Sequence, residues 1–461
     1  MPGGPNLFPS KGSGLNVEQQ DWIDEALQAL HQDVEDFWVP QAVCRLTQPI
    51  SALTFLRDFV QPSIPVVFCQ GSGLMGEDWG LETWKDWKEI VEKIGGERLV
   101  SVNVTPDGRG DAILGLREWQ SERGSGRGEV DDQDGSRNAS GDAQENSDKP
   151  NSLSSPRPHP TSRPQRVFVK PEERRMTFAS FVKTLLQASG GEEQEKEVMY
   201  LSQQDDNLRR EFPELLGKEQ LPDKRGGGQV PANGFPLAQQ AFGSPPDAIN
   251  LWIGDARSIS SLHKDPYENM YAVLKGEKHF TLFPPSDVSS FLFARGLPQA
   301  SYAFDSIRAC FQVNLDGREK GSTNNGRVDW VDLEASKAAA ARRGEREGGR
   351  EEGREERRER VLHPLEVRVK EGEVLYLPAL WYHEVTQTCP TVAVNFWHDM
   401  CFFGPKYVYF NFLQRLGPTQ TSLPAFFLLS TASVVGPGTE SGRESGNATD
   451  RDDSALTRWK M

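Results

Sequence analysis

Residues 250–287 read NLWIGDARSISSLHKDPYENMYAVLKGEKHFTLFPPSD. Three short β-type runs, Ile249–Ile253, Met270–Lys275 and Lys278–Phe283, occupy it, and Gly254, Gly276 and Pro284-Pro285 punctuate them. Apolar, β-branched and aromatic residues between glycine and proline turns are the pattern of strands in a half-buried sheet. Val367–Val369, Glu373–Leu377 and Thr391–Phe396 repeat it further on, around Gly372 and Pro378. Many short strands at close intervals predict a β-sandwich or barrel with the earlier helices packed outside, a mainly β fold with flanking helices (α+β).

A helix is readable from Asn16 to about Trp38. Asn16 can cap it with Gln19 three residues on, Ile23, Leu27, Leu30, Val34 and Phe37 follow at helical spacing, and Pro40 stops it. Leu81–Ile94 sets Trp84, Trp87, Ile90, Val91 and Ile94 on one helical face, and Val100–Val104 reads as a strand closed by the turn Thr105-Pro-Asp-Gly-Arg. The chain is thus expected to run as a helix-and-strand part of the catalytic domain (16–115), a disordered insertion (116–165), a first barrel half (166–316), a low-complexity charged insertion (317–360), a second barrel half with a C-terminal helix (361–436) and a disordered tail (437–461). The first insertion is nearly devoid of large apolar side chains and cannot offset its own ordering entropy. The second ends in GEREGGREEGREERRER, whose charges nearly cancel, and reads as a solvated loop or a lone surface helix.

Composition narrows the function. The 461 residues carry 52 Lys+Arg against 67 Asp+Glu, a net charge of −15, which argues against a direct nucleic-acid or anionic-membrane partner. Only 36% of residues are hydrophobic, so part of the length lies outside any core. Cys44, Cys69, Cys310, Cys389 and Cys401 form no CxxC pair, and their scatter reads as reduced thiols in the cytoplasm or nucleus. The N-terminal MPGGPNLFPSKGSGLN lacks the apolar stretch of a secretory signal, and the longest apolar run, Ala425–Val435, is about half a bilayer span.

The chemistry-bearing residues fall in two places. In Leu262-His263-Lys264-Asp265, side chains at i and i+2 of an extended segment project from one face, so one imidazole and one carboxylate can reach one metal ion. Alone, the triplet reads more readily as a His–Asp surface pair or a supporting contact than as a ligand pair. In Glu373–Glu384, EVLYLPALWYHE, a strand ending in a proline turn presents His383, by itself an ordinary core histidine. Together, His263, Asp265 and His383 make the two-imidazole, one-carboxylate set that leaves half an octahedron open in non-heme Fe(II) oxygenases. Lys278, one strand and one tight turn past His263, reads by itself as a solvent-facing hairpin lysine, but beside the His–Asp pair it can return to the barrel interior. A cation there needs an anionic partner, which the distal carboxylate of a 2-oxo dicarboxylic acid would supply.

With GEVLYLPALWYHEV (372–385) and AVNFWHDM (393–400), the opening stretch resembles the Jumonji-C (cupin-like) 2-oxoglutarate oxygenases, most closely the lysyl hydroxylases of the Jumonji domain-containing protein 7 group. The similarity extends through LTFLRDFVQPSIPVVF (53–68), VSVNVTPDGRGDAI (100–113) and VMYLSQQDDNL (198–208). The resemblance implies a double-stranded β-helix, the jelly-roll barrel of that family. It implies Fe(II) held by His263, Asp265 and His383, 2-oxoglutarate as co-substrate, and dioxygen as oxidant. It places Lys278 and Tyr200 on the distal carboxylate, Ser260 where relatives often have threonine, and Asn269 and Asn395 near the co-substrate. Pro266 departs from the histidine that close relatives carry after HKD. The implied substrate is a lysyl side chain, hydroxylated at C3, in a GTP-binding protein of the translation-factor class.

Three other activities meet obstacles. Histone demethylases often carry zinc-bound readers, for which no Cys/His cluster exists here. A peptidase acting on histone tails would need a general base, and there is no HExxH helix. A non-catalytic cupin-like binding protein would have little reason to keep the ligand set and its lysine together. The segment Gly404–Leu416 places Tyr407, Phe410 and Leu413 at helical spacing, as a homodimer helix or as core.

Overall fold

The computed structural model describes residues 17–76, 79–116, 119, 166–188, 197–217, 230–316, 327–341 and 361–416. The described residues all belong to one compact unit, and 420–461 lie wholly outside them. So do 117–118 and 120–165 of the expected first insertion, 317–326 and 342–360 of the second, and the expected tail.

Eight strands form the centre: β1 (Ala248–Gly254), β2 (Ile259–Lys264), β3 (Tyr267–Lys275), β4 (Glu277–Phe283), β5 (Leu365–Lys370), β6 (Val374–Leu377), β7 (Tyr382–Gln387) and β8 (Thr391–Asp399). They lie as β6-β3-β8-β1 in one sheet and β5-β4-β7-β2 in the other, with every neighbouring pair antiparallel. This is the expected jelly roll. The first sheet continues through Val66–Phe68 and Cys44–Leu46 beyond β6, and through Val198–Leu201, Leu99–Thr105 and Glu172–Thr177 beyond β1. Arg109–Gly110 adds an edge to the second sheet alongside β2.

Alternation along the strands decides what the barrel holds. Met270, Ala272 and Leu274 of β3 join Ile249, Leu251 and Ile253 of β1 and Val392, Val394 and Phe396 of β8 in the outer core. The intervening Tyr271, Val273, Trp252 and Ala393 turn inward and meet Phe280, Leu282 and Val385. Asn269, Asn395, Lys278, His383 and Gln387 share the parity of these inward residues, so the two-residue period carries polar groups into an otherwise apolar barrel.

Four elements differ from expectation. The N-terminal helix Val17–Phe37 buries Leu27, His31 and Val34, but Phe37 is 84% exposed. Ten residues past Leu27, it has rotated about 80° off the buried stripe. Leu81–Ile94 is broken into a tight turn, Leu81–Trp84, and a helix, Trp87–Ile94; the helix restarts because the Asp86 carboxylate accepts from the Lys88 N–H at 2.8 Å. The supposed charged insertion contains the strand Arg327–Val331, paired with Phe293–Asp305, and the helix Leu333–Ala341; alternation in VDWV and the burial of Val331 and Leu333 outweigh the average composition. At the first insertion's edge, Leu116 and Trp119 pack on the core, Trp119 with its ring 5.6 Å from that of Tyr302. The C-terminal helix Pro405–Leu416 turns Tyr407, Phe410 and Leu413 to the core, leaving Val408, Tyr409 and Phe412 exposed. No helix among the described residues is long and apolar enough to cross a membrane.

Candidate metal centre and co-substrate pocket

Strand β2 carries a bulge between Ser260 and His263. Three residues apart, these side chains would face opposite sides of a regular strand; the bulge lets both line one cavity. His263 then pairs across the sheet with His383 of β7, their ring centroids 4.2 Å apart. Asp265 sits just beyond the end of β2, with Oδ2 3.8 Å from His263 Nε2 and 3.7 Å from His383 Nε2. The Leu380 N–H donates to the Asp265 carbonyl at 2.9 Å, and Leu380 holds φ +70°, a left-handed conformation rare for leucine. That turn starts β7 beside Asp265.

The two imidazoles are prepared as ligands. His263 Nδ1 donates to the Ser261 carbonyl at 2.7 Å and His383 Nδ1 to the Trp381 carbonyl at 3.1 Å. A carbonyl can only accept, so each Nδ1 carries the proton and each Nε2 offers its lone pair. Burial, and then the neighbouring His263, push the His383 pKa down to about 4, which keeps its ring neutral at pH 7. One ligand atom from each of His263, Asp265 and His383 lies within 4.8 Å of the others. Two neutral nitrogens and one carboxylate on one side fit a divalent iron with its remaining positions open.

Deeper in the barrel Lys278 is 1% exposed. Its Nζ donates to the Tyr200 hydroxyl at 3.1 Å and to Gln387 Oε1, and no carboxylate bonds it among the described residues. Burial pushes its pKa down to about 7. Ser260 and Tyr271 also bond the Tyr200 hydroxyl, whose own pKa burial raises. Asn269 lines the same cavity with a buried Oδ1 that has no partner, whereas Asn395 Oδ1 accepts from Asn250 Nδ2 at 3.2 Å and Trp252 Nε1 at 2.9 Å. A buried lysine ringed by hydroxyl and amide groups, without a counter-ion, fits the anionic end of a small dicarboxylate. All eight residues read from the sequence therefore converge on one barrel, although the Asn395 oxygen is committed to its wall. The donor set and the orphaned lysine together fit Fe(II) and 2-oxoglutarate.

Above His263 and Asp265 opens a cleft of about 460 Å³, walled by Trp252, Trp330, Tyr382 and Asp111 among others. Burial raises the Asp111 carboxyl above the usual range, against the pull of His263 and Lys170. Sequence reading missed Gln387, Tyr271 and Asp111. Gln387 was signalled by its place four residues after His383, on the same strand face.

A second His/Asp/His group is a clamp by its geometry. Both oxygens of the fully buried Asp287 accept from His363, one from its backbone N–H and one from its Nδ1, each at 2.7 Å. His31 stacks on His363 at 5.4 Å and bonds the Ser290 hydroxyl at 2.9 Å. The group ties the N-terminal helix to the segments flanking β4 and β5.

The Cupin-like domain profile matches residues 52–403. "JmjC domain-containing protein E" of Dictyostelium discoideum is 30% identical over 86% of this chain and 94% of its own length. "Bifunctional peptidase and (3S)-lysyl hydroxylase JMJD7" of Homo sapiens is 31% identical over 85% and 97%, and "Lysine-specific demethylase JMJ32" of Arabidopsis thaliana 28% over 86% and 93%. A Cupin-like match across a jelly roll that brings two histidines, an aspartate and a buried lysine together leaves one family: the chain belongs to the cupin-like Jumonji-C group of 2-oxoglutarate-dependent oxygenases.

Proposed function

We propose that this chain is an Fe(II)- and 2-oxoglutarate-dependent protein hydroxylase, acting at C3 of a lysyl side chain in a GTP-binding protein of the translation-factor class. The observation that carries the reading is Lys278, buried inside the same barrel as the triad with hydroxyl and amide partners but, among the described residues, no carboxylate. The lysyl target is supported by the likeness to the human relative, whose name states (3S)-lysyl hydroxylase activity.

His263 and His383, each through Nε2, and Asp265 through a carboxylate oxygen would hold the iron. Bound iron and 2-oxoglutarate supply dioxygen activation and the oxidation of an unactivated C–H bond. The chain does the rest. Lys278 and Tyr200 grip the distal carboxylate, and the backbone carbonyls of Ser261 and Trp381 keep both imidazoles turned toward the metal. Phe280, Val385 and Trp397 line the inner cavity and keep water from the reacting carbon. The scattered cysteines support a reducing compartment, cytoplasmic or nuclear. The exposed face of Pro405–Leu416, with Val408, Tyr409 and Phe412, supports a homodimer.

Mass spectrometry of two peptide classes tests the reading. Protein incubated with Fe(II) and 2-oxoglutarate should add one retained oxygen to unmethylated lysine peptides from translation-factor GTP-binding proteins. It should release no formaldehyde from trimethyl-lysine histone peptides. Formaldehyde from methyl-lysine peptides alone would replace hydroxylation with demethylation, the activity in the Arabidopsis relative's name.

A further inference from the structure

Three aspartates line the cleft above the triad, and their surroundings differ. Asp265 belongs to the triad, and Asp329 is bonded to Arg295 at 2.8 Å. Asp111 has neither a hydrogen bond nor an ion pair among the described residues; the nearby Lys170 is itself bonded to Asp316 at 2.7 Å. Lys264, the cation on the cleft wall, sits over the Phe410 ring at 5.0 Å.

The place of Asp111 is built. Gly110 pairs with Ser260, its carbonyl accepts from the Ser261 hydroxyl at 2.8 Å, and the Gly108 carbonyl accepts from the Ile259 N–H at 2.8 Å. The loop is therefore stitched to the strand that carries His263. Asp111 itself holds φ +55°, a conformation that aspartate, asparagine and glycine tolerate better than other residues.

We infer that Asp111 is the specificity residue that receives the ε-ammonium of the lysyl substrate; this rests on the lysyl reading above. A carboxylate facing a narrow cleft has surrendered part of its hydration and holds no cation in return. An incoming ammonium restores the balance with charge-assisted hydrogen bonds. Those bonds need N–H donors, which favours unmethylated lysine over trimethyl-lysine.

The test uses the full chain with Fe(II) and 2-oxoglutarate and two degenerate peptide libraries, one centred on lysine and one on norleucine, scored by oxygen incorporation. The wild type should prefer lysine in kcat/KM by about tenfold or more, the value of one charge-assisted hydrogen bond. Asp111→Asn and Asp111→Gly, both compatible with positive φ, should bring the ratio to within about twofold of parity, with the loss on lysine falling mainly in KM. A ratio that persists in both variants, at unchanged melting temperature, overturns the assignment and leaves lysyl hydroxylation standing. Equal oxidation of both libraries by the wild type overturns it too. A wild type that oxidises no lysine peptide removes the lysyl reading itself and Asp111's role with it.

Discussion

Replacing Lys278 with methionine should disable co-substrate binding and yet make the fold more stable near neutral pH. The lysine's pKa is about 10.4 in the unfolded chain and about 7 in the barrel, where burial disfavours the charged form. The unfolded chain therefore binds the proton more tightly. Below about pH 7 the full penalty applies; it shrinks as pH rises and vanishes above the unfolded value. Linkage puts it at about 4 kcal/mol at pH 7 and about 2 kcal/mol at pH 9. Against that gain, Lys278→Met leaves Gln387 Oε1 without its partner, at about 1–3 kcal/mol, while the Tyr200 hydroxyl keeps Ser260 and Tyr271. The two effects partly cancel in the absolute stability at pH 7, but only the first depends on pH. The variant's stability relative to wild type should fall by about 2 kcal/mol between pH 7 and pH 9. Urea unfolding of metal-free protein, followed by tryptophan fluorescence at both pH values, measures it. A difference that does not vary with pH would mean that Lys278 is as readily protonated in the fold as in water and that its burial carries no electrostatic cost.

The same titration governs co-substrate affinity: because the free enzyme holds Lys278 near pKa 7 and an anion favours its charged form, 2-oxoglutarate binding should weaken above pH 7 and take up a proton, which calorimetry in buffers of different ionisation heat detects. Gly108→Ala should lower the melting temperature, since a Cβ there would lie 1.8 Å from the Arg257 carbonyl oxygen at φ +85°, a conflict costing at least about 1–3 kcal/mol; a neutral result in thermal unfolding would show that the loop can move away from β2. Asp287→Asn should cost about 2 kcal/mol by weakening the charge-assisted bonds to His363, and protease cleavage within Val17–Phe37 should quicken as the helix loosens.

Six of the eight barrel strands were legible from apolar runs between glycine and proline. The other two, β2 and β7, read ISSLHK and YHEVTQ and carry the site. They escaped because a strand that lines a polar cavity loses the apolar alternation by which strands are recognised. His263, Asp265, His383 and Lys278 could be read because few chemistries need those residue types together. The bulge that brings Ser260 and His263 to one cavity has no residue signature of its own. Asp111 was hidden for a different reason: its significance lies in having no partner, which only the folded chain reveals. Trp330, a wall of the cleft, was lost to averaging, because the charged residues around Arg327–Val331 concealed a short alternating strand.

The central claim is that His263, Asp265 and His383 hold iron while Lys278 holds the far end of 2-oxoglutarate. Anaerobic titration of Fe(II)-loaded protein with 2-oxoglutarate, followed by the visible charge-transfer absorption of the chelate, tests it without any protein substrate. Wild type should develop the band with one equivalent of iron, Asp265→Ala should fail to retain the metal, and Lys278→Met should keep the iron but need far more 2-oxoglutarate. An Asp265→Ala protein that binds iron and develops the band at the wild-type 2-oxoglutarate concentration would contradict the account.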